Sequence, residues 1–508
     1  MIKRAVKYST LGLFLFLSLF VLVNSQQRPR QQKKKAASDV PPPVPKMWDD
    51  KSLAILELPL ADSKVKLVHA SAEDYYRIPA RTILKTYPVY APGKEPPGYM
   101  EWLKQQEPQV AFDASQLKTT ADWVKAGEVV FDAPLTRNQL TTPEELRDPA
   151  WYEKHAVPVA KDGTMPFYRY VIREKGQVQV GEFSCAMCHT RVMPDGSLIK
   201  GAQGNFPFDR VFSSAFGTRI PQQILHLLGR QLFSAPWIEA DPHAKLTQMS
   251  VEEFANTYKA IPPGVITRFG SSVFYPPQVP DLIGVKDRRY LDHTGFVRHQ
   301  SIEDLMRYMA LVQGADLLDH FNDFSPLGRP PDYAKLARYS DEQLYAAALH
   351  LYSLKPPPNP NKFTAEAARG KRIFREEGCA TCHTPPLYTN NKLTPVEGFT
   401  VPPEHLKKFD IMTRSVGTDP NLSLKTRRGT GYYKVPSLKG VWYRGPFEHN
   451  GSVATLEDWF DPRRLSDTYV PTGFVGAGVK TRAVKGHPFG LDLDERDRKA
   501  LIAFLKTL

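Results

Sequence analysis

Cysteine is nearly absent from this chain: four residues in 508, none of them near the N-terminal leader. That scarcity excludes a disulfide-stapled fold, a lipid-modified cysteine behind the leader and an odd reactive thiol. All four fall in two copies of one pentapeptide, Cys185-x-x-Cys188-His189 and Cys379-x-x-Cys382-His383. Cys-x-x-Cys-His is the attachment signature of a c-type haem: the thiols add across two vinyl groups and the histidine ligates iron from the proximal side. Zinc modules that join two Cys-x-x-Cys pairs separate them by about 15–20 residues, whereas Cys188 and Cys379 lie 191 positions apart. A thioredoxin-like dithiol needs neither a second copy nor the histidine. The sequence therefore predicts two covalently bound c-type haems.

Charge of one sign is also scarce in the body of the chain. The net charge is +13, but Lys3, Arg4 and Lys7 supply +3 and Arg28, Arg30, Lys33, Lys34 and Lys35 supply +5. Residues 39–508 carry only +5, which haem propionates would nearly cancel, so the charge gives no ground for nucleic-acid binding by the folded part. The basic start, the apolar run Leu11–Val23 and the small residues up to Ser25 read as an export signal cleaved after Ser25, with an uncleaved membrane anchor as the alternative. Export to the periplasm agrees with haem attachment outside the cytoplasm. Residues 26–46 are basic and proline-rich, a tether and the segment suited to touch an anionic surface.

The expected fold is mainly α: two cytochrome c-type haem domains with long loops and a few short β-hairpins, plus an irregular N-terminal extension. Forty-five prolines favour ordered loops over a helix bundle, and 42% hydrophobic residues support sizeable cores. Residues 47–164 form the extension, with one short helix at Tyr99–Gln105. The first haem domain spans 165–354. It opens near Met165 with a hairpin, Phe167–Ile172 and Gln177–Val180 about a Glu174-Lys-Gly176 turn, where a small cytochrome c has a helix. It closes with a helix whose capping box is Ser340 and Gln343 and whose apolar face carries Leu344, Ala348, Leu351 and Tyr352. A proline-rich linker occupies 355–361. The second haem domain, 362–508, has a helix from Thr364 toward Cys379, with Gly370 and Phe374 on one side, and a final helix at about Asp494–Thr507.

His189 and His383 are the proximal ligands, and what completes each iron decides function: an open position permits peroxide or oxygen chemistry, a filled one favours electron transfer. For the second haem His487 is the expected ligand, held between Gly486 and Pro488 in a loop just before the last helix. Met412, the lone methionine beyond the second motif, is the competitor, and neither is the third possibility. For the first haem, Met193 is too near the motif to swing round and Gly201–Phe208 offers no ligand. A five-coordinate, reactive first haem follows.

Three segments carry a resemblance: Val416-Gly-Thr-Asp-Pro420, Tyr433-Lys-Val-Pro-Ser-Leu438, and Gly445-Pro-Phe-Glu-His-Asn-Gly-Ser-Val-Ala-Thr-Leu-Glu457. Together they resemble the second domain of the bacterial di-haem cytochrome c peroxidases, and Pro280-Asp-Leu282 with Ser301–Leu305 resembles a first-domain segment of that superfamily. The resemblance covers about 165–508 and implies an oxidoreductase. It makes Glu303 the counterpart of an acid that moves protons during O–O cleavage, against the plainer reading of a first-turn helix residue. Several positions depart from the peroxidases. Asn205 stands sixteen positions after His189, where they carry a displaceable histidine, and Arg463 stands fourteen after His449, where they carry methionine and the methylamine dehydrogenase maturation enzymes tyrosine. Ile283 falls where the maturation enzymes place a tryptophan between the haems. The inter-domain calcium site keeps Pro446 but has Arg444 in place of threonine, which argues against calcium. These differences are similar to those of the rubber oxygenases and related di-haem cytochromes, although those oxygenases are longer chains.

Three functions compete. The first is an enzyme that receives electrons at the second haem, from a small redox protein or a quinol-side donor, and acts at the first on peroxide, O₂ or an organic substrate. The second is a periplasmic electron-transfer cytochrome without catalysis. The third is a sensor or structural partner in a larger assembly.

Overall fold

A glycine locks each of two helix pairs. The computed structural model describes residues 43–239, 241–328 and 331–508; the export signal, its cleavage point at Ser25 and the basic tail up to residue 42 lie outside them. In the second haem region the helix Ala365–Glu376, capped by Thr364, crosses the final helix Glu495–Lys506, capped by Asp494. Contact is so close at Gly370 that a Cβ there would lie 1.9 Å from the Ala500 carbonyl oxygen. Phe374, one turn on, meets Phe504 edge-on at 5.4 Å.

The same device recurs upstream. The helix Thr120–Asp132 crosses Asp341–Ser353, a Cβ on Gly127 would lie 2.0 Å from the Ala346 oxygen, and Phe131 meets His350 at 5.5 Å. Gly-x-x-x-Phe therefore faces an alanine and the residue four beyond it in both pairs. This corrects the expectation that the first haem region lacks an N-terminal helix. The helix exists, but it ends at Asp132, and three of the four strands of a sheet lie between it and Cys185. The capping box of Ser340 with Gln343 forms as expected, and Leu344, Ala348 and Leu351 are buried.

The inserted sheet is antiparallel in the order Thr86–Tyr90, Thr164–Glu174, Gln177–Glu182, Thr136–Arg137. Its centre is the expected hairpin, with Tyr170 opposite Val180 and a turn at Lys175-Gly176, where Gly176 takes φ +87°. Both outer strands come from the 47–164 stretch, so that stretch is built into the first haem region through backbone hydrogen bonds. Trp48, Tyr75, Trp123 and Phe131 share one core with Ala186, Leu305, Met306 and Tyr345. A second core joins Tyr87, Met100 and Phe167 to Met187, Phe212 and Tyr258, and a third fills the second haem region around Phe374, Leu501 and Phe504.

The fold is mixed rather than mainly α: among the described residues helix accounts for 35%, the rest being loops and small sheets. The hairpins are more numerous than the alternation in the sequence shows, because several strands are only two or three residues long. Among the described residues no helix is long and apolar enough to cross a membrane.

Candidate haem sites

The two motif histidines are prepared in the same way. Cys185–Cys188 is a short helix capped by the Ser184 hydroxyl, which accepts from the Met187 N–H at 3.1 Å. His189 follows it, with Nδ1 3.0 Å from the Pro280 carbonyl oxygen. A carbonyl only accepts, so Nδ1 carries the proton and Nε2 keeps its lone pair. His383 Nδ1 likewise lies 3.2 Å from the carbonyl oxygens of both Tyr388 and Pro436. Desolvation pushes each imidazole down to about 4, so each is neutral near pH 7, the state that ligates a metal.

His487 stands across from His383, their ring centroids 6.2 Å apart. Two metal–nitrogen bonds of about 2.0–2.1 Å, with about 1.1 Å from nitrogen to centroid in each ring, sum to about 6.3 Å. The gap is the width of one iron. Local structure explains how the loop reaches this point. His487 takes a left-handed φ of +47°, its N–H donates to the Val416 oxygen at 2.6 Å, and Gly486 lies so close to Gly417-Thr418 that a Cβ would sit 2.3 Å from the Thr418 nitrogen. Arg464, only 1% exposed, donates to the carbonyls of Trp459, Val484, Gly486 and His487 at 2.6–2.9 Å. Trp459 and Phe489 set their rings against the imidazole, each at 5.2 Å.

Arg464 is the residue that sequence reasoning missed. Attention fell on Arg463, which is exposed and paired with Asp461. Two adjacent arginines look alike in a sequence, and only the fold buries one of them. Met412 lies on the cysteine side, its Sδ 3.8 Å from Cys382 Sγ and 3.4 Å from Asn390 Nδ2.

One cavity encloses His383 and His487, walled by Phe374, Trp459, Leu501 and Leu505, and it runs on to Pro280, Asp281 and Arg288 beside the first site. Arg288, Lys434 and Arg444 also line it. Desolvation, reinforced by Arg288, Arg268 and Arg444, pushes the Lys434 ammonium well below its ordinary range, and Arg444 Nε is buried without a hydrogen-bond partner. The cavity has an apolar wall and, toward its other end, Arg288 and Arg444 beside Asp281 and Glu448. An apolar wall with arginines at one edge fits a flat hydrophobic group that carries carboxylates, and the free Nε2 of His383 fits its iron.

Around the first motif, Asn205 is tied at both ends to Val192, accepting from its N–H at 3.0 Å and donating to its oxygen at 2.8 Å. Among the described residues no second aromatic or imidazole ring stands within contact of His189, in contrast to His383. Glu303 occupies the first turn of the helix Ile302–Val312, half-buried, and its charge bears on Tyr345 and Tyr352. It does not line the cavity around His383 and His487. Ile283 is buried against Tyr443. The Gly445 oxygen accepts from Arg191 Nη1 at 2.9 Å and the Pro446 oxygen from the side-chain amides of Gln203 and Gln278, so side chains of this protein already engage both carbonyls. Among the described residues there is no cluster of His, Cys, Asp and Glu arranged to hold a bare metal ion.

No family model matches the chain. It is 26% identical over 145 residues to the methylamine utilization protein MauG of Methylorubrum extorquens, covering 28% of this chain and 35% of that protein. Against the cytochrome-c peroxidase IdrP1 of Denitromonas iodatirespirans it is 27% identical over 194 residues, 35% of this chain and 49% of the relative. The aligned part thus spans a third to a half of the curated relatives' length. A solved structure of Kuenenia stuttgartiensis hydrazine synthase aligns over 56% of this chain and 87% of its own at 15% identity, with a TM-score of 0.27, too low to bear on the argument. Taken with the paired motifs, the matched relatives imply c-type haem as the cofactor class. These distant matches support a place for the chain in the di-haem cytochrome c peroxidase superfamily.

Proposed function

We propose that this chain is an exported di-haem oxidoreductase whose two haem sites divide the work. One observation carries the division: His383 has a second imidazole across a 6.2 Å gap, and His189 has none among the described residues. Two c-type haems, bonded at Cys185 and Cys188 and at Cys379 and Cys382, would supply one-electron transfer and, at an open iron position, activation of peroxide or O₂.

The protein's own groups set the rest. Pro280, Tyr388 and Pro436 fix the tautomers of His189 and His383, which orients each ring and makes its Nε2 more basic. His487, held by Arg464, fills the second site and reserves it for electron transfer. Met412 is not the ligand in this reading. Lys434, Arg288 and Arg444 hold the anionic edge, while Phe374, Trp459 and Leu501 exclude water. At the first site Glu303 is the candidate to carry a proton, on a helix that shares a core with Ala186 of the motif. Electrons arrive from a small redox protein or a quinol-side donor. Calcium is not part of the proposal.

The test is carbon monoxide binding to the reduced protein together with hydrogen peroxide consumption. Binding of one CO per chain, with peroxide turnover that falls in Glu303→Gln, is expected. A protein that binds no CO and ignores peroxide would be an electron carrier, and the proposal would be wrong.

A further inference from the structure

We propose that Tyr443 is a redox-active tyrosine between the two haem sites, with Asp281 as its proton acceptor; this rests on the function proposed above. Hydrogen bonds and peptide links connect the two motif histidines through this residue. His189 Nδ1 bonds the Pro280 oxygen at 3.0 Å, and the next residue, Asp281, accepts from the Tyr443 hydroxyl at Oδ2, 3.1 Å away. Arg444 follows Tyr443 and donates from Nη1 to the Ser437 oxygen at 2.9 Å. Ser437 is joined to Pro436, whose oxygen accepts a hydrogen bond from His383 Nδ1 at 3.2 Å.

Tyr443 is a built position. Its phenol is 2% exposed and lies over Gly440, where a Cβ would meet the hydroxyl oxygen at 2.3 Å, so only glycine leaves room for it. Apolar Ile199, Ala202 and Ile283 surround the ring, and Trp442 meets it edge-on at 5.1 Å. The phenol donates its hydrogen bond to the Asp281 carboxylate, and that carboxylate is the acceptor for a proton leaving it. Asp281 is suited to that task. Desolvation raises its proton affinity, Arg444 and Arg288 oppose the rise, and the Ile283 N–H holds Oδ1 at 3.2 Å so that Oδ2 faces the phenol.

The step balances. Hydrogen peroxide is the oxidant at the His189 site: its O–O bond breaks and its reduction to two waters takes two electrons and two protons, the protons carried in by Glu303, so that two passages of one electron through Tyr443 complete one turnover. Tyr443 loses one electron toward His189, its O–H bond breaks, and the proton bonds to Asp281 Oδ2, leaving a neutral phenoxyl radical. One electron from the His383 side, through Arg444, Ser437 and Pro436, then restores the phenolate oxygen and the proton returns from Asp281. A purely structural tyrosine would make the same hydrogen bond and carry no radical.

Freeze-quenched electron paramagnetic resonance of the haem-loaded protein after peroxide separates these cases. The expected result is an organic-radical signal that narrows when the tyrosine rings are deuterated and is lost in Tyr443→Phe, while the high-spin iron signal is still consumed. If iron is consumed but the radical persists in Tyr443→Phe, or none forms in the parent, the inference is overturned and the proposed function stands. If peroxide leaves the iron signal untouched, the proposed function falls and the relay falls with it. Should Tyr443→Phe fail to fold, Asp281→Asn keeps the bond from the Ile283 N–H but cannot take the proton. Loss of the radical there supports the relay, and a parent-like radical overturns it.

Discussion

Gly370→Ala places a methyl group 1.9 Å from the Ala500 oxygen and 2.8 Å from Phe504 Cβ, both on the rigid face of a neighbouring helix. Neither obstacle is the mobile end of a side chain, so the helices must part. Overpacking of this kind costs about 1–3 kcal/mol, and the better helix propensity of alanine offsets about 1 kcal/mol. The difference is a net loss of about 0–2 kcal/mol, and the upper end is expected because the 1.9 Å contact is with helix backbone. Gly127→Ala, with its Cβ 2.0 Å from the Ala346 oxygen, should lose a similar amount. Gly229 is the internal control. It also lies inside a helix, Gln222–Phe233, but a Cβ there finds Leu246 at an ordinary 3.5 Å, so Gly229→Ala should gain about 0.5–1 kcal/mol. Urea unfolding of the haem-loaded protein, followed by circular dichroism, reads these values as midpoint shifts at constant slope. Phe374, Leu501 and Leu505 line the second cavity, so Gly370→Ala should also move the absorption of the second haem, which Gly127→Ala leaves alone. A Gly370→Ala protein as stable as the parent, or a Gly229→Ala protein that loses as much, would refute the shared helix-crossing argument.

Arg464→Met removes four hydrogen bonds, three to carbonyls of the loop at Val484, Gly486 and His487 and one to that of Trp459, each worth about 1 kcal/mol. We expect a loss of stability and a weakened ligand field at the second haem; an unchanged spectrum would show that Arg464 does not position His487, and Arg463→Met should be silent. His69 lies 3.2 Å from Glu57 and 2.8 Å from Asp319, with Arg428 bonded to Asp319 at 2.7 Å and Asp316 beside it. Burial alone would lower His69, but Asp319 and Glu57 outweigh it and hold the imidazolium up to about 11. That folded value lies above the ordinary 6.5, so the stabilisation is complete below pH 6.5 and is lost as pH rises toward 11. His69→Gln should flatten the fall of the unfolding midpoint between about pH 7 and 10; a slope equal to the parent's would sink the assignment. Met412→Ala should leave the second haem's absorption and potential unchanged, and a change in either would bring the methionine back as a ligand.

The haem motifs were legible because their chemistry is covalent and local: two thiols and a histidine at fixed spacing need no tertiary contact to be recognised. The hairpin at Thr164–Glu174 and Gln177–Glu182 was legible from alternation and a glycine turn, and the Ser340 cap from its partner Gln343. His487 stood out because Gly486 and Pro488 confine a histidine to one conformation. The helix Thr120–Asp132 was not read from the sequence. Nothing local ties Gly127 to Ala346 across more than two hundred residues, although the repeated Gly-x-x-x-Phe spacing was a signal that went unread. Arg464 and Tyr443 could not be found at all. Their roles come from burial, and burial arises from the way distant loops meet.

The central claim is that the two haems are unequal, and electron paramagnetic resonance of the oxidised, fully loaded protein tests it most directly. The account predicts one low-spin, bis-imidazole signal that disappears in His487→Ala and one high-spin signal that does not change in that variant. Two low-spin signals, or a low-spin signal that survives the loss of His487, would contradict it.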